Sequence, residues 1–136
     1  MKKIIWIACV CSLSAATLNQ SMQSYIESLK LEAKGEDSAF VDFSASEGQK
    51  IFTTQNIGRD NQKLSCESCH GSNLQQSGRN VFTNKVLPPL APSANAESLT
   101  VPKQVQKWLK RNFKDVYLRE GSAKEKGDVL YYILTK

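Results

Sequence analysis

The chain has 136 residues, with 18 Lys and Arg against 13 Asp and Glu, a net charge of +5 when its one histidine is neutral. That length suits one small domain. Four cysteines, two of them within the first eleven residues, exclude a disulfide-rich scaffold.

Lys2 and Lys3, the apolar stretch Ile4 to Leu13 and the small residues Ser14-Ala15-Ala16 have the pattern of a secretory signal peptide over residues 1–16. The apolar stretch is too short for a hydrocarbon core about 30 Å thick, so cleavage is expected, with export to the periplasm and no stable membrane insertion. Cleavage removes Cys9 and Cys11, and the loss of Lys2 and Lys3 takes the net charge from +5 to +3. Nucleic acid is not an expected partner in that compartment.

Residues 21–31, SMQSYIESLKL, place Met22, Tyr25, Ile26 and Leu29 at helical spacing. The polar EAKGEDSA behind them reads as a linker. In SASEGQKIFTT, Ser44 or Ser46 can cap a second helix, and Gly48 and Phe52 stand four apart on one face. That pair suits a tight crossing with the last helix near Tyr131 or Tyr132.

The loop TTQNIGRDNQK leads into LSCESCHGSN, where Cys66, Cys69 and His70 form Cys-x-x-Cys-His, the attachment pattern of a c-type haem. Two thiols three positions apart on one helical turn match the two porphyrin vinyl groups, and the next residue swings under the iron. A structural zinc site normally takes four protein ligands, and the cleaved chain offers three thiol or imidazole groups. A redox dithiol belongs beside a strand-and-helix repeat that is missing here. One haem c per chain is therefore expected, with Cys66 and Cys69 as thioethers and His70 as the proximal axial ligand. The other ring nitrogen of His70 needs an acceptor, and a carbonyl from Pro88 or Pro89 is the best placed.

QQSGRNVFTNKVLPPLAPSANAES reads as irregular chain around the haem. Two helices follow, one from about Val101 to Val116 with Thr100 as cap and Pro102 in the first turn, one from about Lys124 to Leu134. With no strand of useful length, the expected fold class is all-α. Residues 17–136 make one domain, with an N-terminal helix and linker at 17–45 and a haem-binding core at 46–136. From Thr100 to Arg119 six basic residues oppose Asp115 alone, either a face that steers an acidic redox partner or an ordinary solvated helix surface.

The usual sixth ligand of haem iron in a small cytochrome, a methionine or a second histidine, does not follow the motif: His70 is the only histidine, and Met1 and Met22 precede it. In the helix from Val101, the residues Val101, Val105, Trp108, Leu109 and Val116 form one apolar stripe, and Asn112 falls inside it. A buried amide must be satisfied, by hydrogen bonds or by a metal. The residues alone leave open a structural asparagine, a lysine ligand, which is costly to neutralise and bury, and an open or water-filled position.

SCESCHG, LPPLAPSA, VQKWLKRNF and EKGDVLYYI together resemble the Sphaeroides haem protein (SHP) family of oxygen-binding class I c-type cytochromes, over most of the chain after Gly48. The resemblance implies a class I cytochrome c fold, Asn112 as the distal axial ligand, and its release on reduction so that oxygen, nitric oxide or carbon monoxide binds. It also implies a disulfide at positions that are Phe113 and Gly121 here, so a less constrained distal loop is expected. Pro89, Trp108 and Arg111 are the expected neighbours of the axial positions. Three functions compete: a haem protein that takes electrons from a partner, such as another c-type cytochrome, and binds a diatomic gas; a plain electron carrier; and an enzyme that oxidises nitric oxide with oxygen. The missing strong ligand favours the first over the second and leaves the first and third unseparated: no acid, base or nucleophile stands out on the distal side, although Arg111 and Trp108 are near enough to be considered.

Overall fold

The computed structural model describes residues 18–136, and the expected signal segment lies outside them. Helix α1 (Gln20–Glu36) starts at Asn19, whose Oδ1 accepts from the Met22 amide at 2.9 Å. Its buried stripe of Met22, Tyr25, Ile26 and Leu29 continues to Ala33, so the helix runs on through part of the segment expected to be a linker. Helix α2 (Ala45–Thr53) is capped by Ser44, whose hydroxyl accepts from the Glu47 amide at 3.3 Å.

Strands β1 (Asn56–Ile57) and β2 (Lys63–Leu64) pair antiparallel around a tight turn at Arg59–Asn61. Helix α3 (Glu67–His70) is a single turn. Strands β3 (Gly78–Arg79) and β4 (Val86–Leu87) also pair antiparallel, inside an otherwise irregular segment. Helix α4 (Pro102–Tyr117) does not use Thr100 as its cap. Val101 holds that place without a side-chain bond, while the Thr100 hydroxyl donates to the Glu97 carbonyl at 2.8 Å. Pro102 at the first helical position needs no partner for a missing N–H. Helix α5 (Ala123–Leu134) opens on a capping box: the Glu125 amide donates to Ser122 Oγ at 3.1 Å, and the Ser122 amide to Glu125 Oε2 at 2.8 Å.

The most extensive helix contact is between α2 and α5. A Cβ on Gly48 would lie 1.9 Å from the Asp128 carbonyl oxygen, so only glycine fits this crossing. One turn on, the Phe52 and Tyr132 rings meet with centroids 5.4 Å apart. The expected crossing is present, with Asp128 and Val129 under Gly48 and Tyr132 rather than Tyr131 against Phe52. Asp128 is 1% exposed, accepts from the Ser44 amide at 2.8 Å and pairs with Lys124 at 2.6 Å. A buried carboxylate thus has both its oxygens engaged, and joins the start of α2 to α5. Helix α1 lies on α5, and its Glu36 carboxylate accepts from the Ala123 amide at 3.2 Å. Met22 is fully buried in this core and packs, as expected.

Candidate functional site

The motif turn is held from both sides. The Cys66 amide donates to the Phe52 carbonyl at 3.1 Å, at the end of α2, and the His70 amide donates to the Cys66 carbonyl at 3.1 Å. Strand β3 passes against its backbone. A Cβ on Gly78 would stand 2.1 Å from the Cys69 carbonyl oxygen and 2.9 Å from His70 Cα. The Val81 amide, just beyond, donates to Cys69 Sγ at 3.5 Å.

Cys66 at the start of α3, Cys69 and His70 within it and Asn112 from α4 line one cavity of about 360 Å³. Its walls are largely apolar: Phe52 on α2, the Leu87–Leu90 segment with Pro89, Val105, Leu109 and Val116 on α4, and Leu130 on α5. An apolar cavity with a few convergent polar groups is the usual form of a cofactor site. Neither Met22 nor any lysine lines it.

Burial lowers the pKa of His70 below its usual value, so the ring is neutral and able to ligate. Its Nδ1 is buried with no hydrogen-bond partner. Neither expected acceptor, the Pro88 or the Pro89 carbonyl, takes a bond from it, and the Pro89 carbonyl accepts from Asn95 Nδ2 at 2.8 Å. Asn95 pins the irregular segment to itself, a local bond that the helix-based sequence reading overlooked. Cys66 and Cys69 are not joined, and burial pushes the Cys66 thiol up to about 12. A redox-active dithiol needs the opposite shift.

Several polar residues line the cavity, and most are committed elsewhere. Asn80 Oδ1 accepts from the Phe82 and Thr83 amides at 2.9 and 3.0 Å, and the Tyr117 hydroxyl donates to the Ile51 carbonyl at 2.6 Å. Asp115 pairs with Arg59 at 3.6 Å, and the same guanidinium lies 4.4 Å from the Phe82 ring centre. This tie of turn, loop and helix has no periodic signature in the sequence. Asn112 is half-buried in mid-helix, and its side-chain amide makes no hydrogen bond among the described residues. Gln104, whose side-chain amide also has none, is exposed in the first turn of α4.

The apolar stripe of α4 divides between core and cavity. Val105, Leu109 and Val116 are buried, but Val101 and Trp108 are 45% and 47% exposed, because they form the outer rim of the cavity wall. Arg111 does not line the cavity; its guanidinium lies 5.6 Å from the Trp108 ring centre, so it reaches the site only through that ring. Phe113 and Gly121 do meet: a Cβ on Gly121 would stand 2.8 Å from the Phe113 ring. Where a cross-link was expected to be missing, a close apolar contact closes the turn between α4 and α5.

A family model described as a domain of unknown function (DUF1924) matches residues 38–133. The cytochrome c-type protein SHP of Cereibacter sphaeroides is 31% identical over 121 residues, 89% of this chain and 93% of that protein. The chain belongs to the SHP family of c-type cytochromes. Cytochrome c'' of Methylophilus methylotrophus is 29% identical over 93 residues, 68% of this chain and 65% of that relative. The structure of oxidised SHP, an oxygen-binding cytochrome c, matches with a TM-score of 0.73 at 28% identity, over 85% of this chain and 96% of the other. Oxidised cytochrome c'' from Methylophilus methylotrophus shares the fold, with a TM-score of 0.75 at 24% identity over 85% and 94% of the two chains. The expected class I cytochrome c fold is thus the observed one.

As an SHP-family cytochrome, the chain carries one covalently bound haem c. The residues present fit it. The cavity places two thiols and a neutral imidazole with an orphaned nitrogen on one short turn, and its apolar walls suit a porphyrin. Among the described residues no helix is long and apolar enough to cross a membrane.

Proposed function

We propose that this SHP-family cytochrome is a periplasmic protein that accepts single electrons from a redox partner, for example another c-type cytochrome, and binds oxygen, nitric oxide or carbon monoxide once reduced. When bound, haem supplies an iron that alternates between ferric and ferrous states and can take a small diatomic molecule on the face away from His70. Cys66 and Cys69 hold the group as thioethers, and His70, kept neutral by burial, supplies the proximal nitrogen. Asn112 would supply the ligand opposite His70 in the oxidised form. Its neutral amide is a weak, hard donor that would suit ferric better than ferrous iron, so with haem bound it would hold the oxidised form and yield to a diatomic ligand in the reduced one.

One observation carries this reading: Asn112 lines the same cavity as the motif, its side-chain amide free of hydrogen bonds, while no methionine, lysine or second histidine lines it. A structural asparagine would be bonded to nearby backbone or cap a helix end, and α4 continues past Asn112 to Tyr117. The test is the absorption spectrum of the ferrous protein with and without carbon monoxide. A high-spin ferrous spectrum that shifts on adding the gas is expected. A low-spin spectrum indifferent to carbon monoxide would make the protein a plain electron carrier.

A further inference from the structure

The geometry points to the exposed face of α4 as the docking surface for an acidic one-electron donor protein, with Trp108 as the port by which the electron enters. This rests on reading the cavity as a redox haem site. Trp108 lines the cavity and is still 47% exposed, so one side chain reaches from the cofactor wall to the surface. Arg111, one turn on, sets its guanidinium 5.6 Å from the Trp108 ring centre. Lys107 precedes Arg111 by four residues and shares its side of the helix. Moving around α4 from the cavity, the order is therefore Asn112, Trp108, Arg111, Lys107.

The available charge lies next to that rim. Lys110 and Lys114 share Glu120 at 3.1 and 3.7 Å, whereas Lys103 and Lys107 are exposed and have no acidic partner among the described residues. Residues 101–119 hold six basic side chains and one acidic, while residues 18–50 hold six acidic and three basic. Such an asymmetry orients an acidic protein as it approaches and raises its rate of encounter. An exposed aromatic beside an arginine, with lysines around it, has the composition of an interface centre. In the step itself one electron leaves the reduced donor and converts the ferric protein to the ferrous; no bond forms between the proteins and no proton moves.

The test mixes the ferric holo-protein with reduced flavodoxin, a strongly acidic one-electron donor, in a stopped-flow spectrometer. Lys103→Glu with Lys107→Glu is expected to slow the second-order reduction roughly tenfold at low ionic strength, and little at about 1 M salt, where the screening length is about 3 Å. Lys50→Glu, on α2, should stay within about twofold of wild type. At saturating flavodoxin, Trp108→Leu should lower the limiting rate several-fold and Trp108→Phe restore most of it, each taken relative to the same variant's own rate with dithionite, which the lysine variants leave unchanged. Equal slowing by Lys50→Glu and by Lys103→Glu with Lys107→Glu would overturn the docking face. A fall for Trp108→Leu that dithionite matches would make Trp108 a wall rather than a port. Failure of the dithionite-reduced protein to bind carbon monoxide would overturn the gas-binding reading and leave the docking face standing, whereas wild-type protein reduced by dithionite and refused by flavodoxin would overturn the docking face alone.

Discussion

Asn112 differs from the other asparagines of the cavity in what its amide lacks. Asn80 and Asn95 are occupied in holding the irregular segment, and removing either leaves backbone groups unpaired. Asn112 holds nothing among the described residues. Asn112→Ala is therefore expected to change the ferric spectrum toward a water-bound or high-spin form while the denaturation midpoint moves little, by about 0.5 kcal/mol or less. An unchanged spectrum with a lowered midpoint would make the residue structural. With Met22 fully buried in the core and away from the cavity, the oxidised protein should also lack a sulfur-to-iron absorption band. The attachment motif was legible in the sequence because its signal is a fixed local spacing, whereas the apolar stripe of α4 marked Asn112 only as a polar residue to be satisfied, and its role as a ligand came from the family resemblance. An acceptor for His70 was not legible: neither the Pro88 nor the Pro89 carbonyl accepts from its Nδ1, which is buried without a partner, while Asn95 donates to the Pro89 carbonyl, and nothing in the spacing of prolines and asparagines shows which donor reaches it.

Helices are held here by particular caps and one close crossing. Gly48→Ala would bring a Cβ to 1.9 Å from a backbone oxygen of α5, which must shift; overpacking of this kind costs about 1–3 kcal/mol or more, to be read as a lower midpoint in chemical denaturation. Ser122→Ala removes one half of the capping box at the start of α5, and a loss of about 1 kcal/mol is expected in the same measurement. The Gly48 and Phe52 spacing, the Ser44 cap and the positions of α2, α4 and α5 could all be read from periodicity. The true length of α1 and the cap of α4 could not. Ala33 extends the buried stripe only because α5 is there to cover it, and Thr100 turns back to Glu97 rather than capping because the chain enters α4 from an irregular loop.

At the scale of the molecule the cofactor site is part of the core, since Phe52, Val105, Leu109 and Leu130 serve both. Replacing Cys66 and Cys69 together by Ala should abolish covalent haem, seen as loss of the haem band on a denaturing gel, and lower the melting temperature, because a group that binds only the folded state stabilises it. Stability also has an acid limb. The Arg119 guanidinium, 2.6 Å from Glu125, holds that carboxyl below its ordinary value of 4.5. A carboxylate depressed in the folded state contributes stability above its ordinary pKa and loses it as the pH falls through the folded value. The melting-temperature difference between wild type and Arg119→Gln should therefore be present at neutral pH and shrink as the pH is taken below 4.5; a difference that grew instead would contradict the assignment. By itself the sequence determined the haem attachment, the all-α class and that no methionine or second histidine follows the motif, because each follows from residue identity or from a period of a few residues. Only the tertiary structure decided that Asn112 and the motif share one cavity, that Trp108 stands at its rim with Arg111 on its outer side, and that Phe113 meets Gly121. Those are meetings between distant segments and depend on how α2, α4 and α5 cross, which no local pattern encodes.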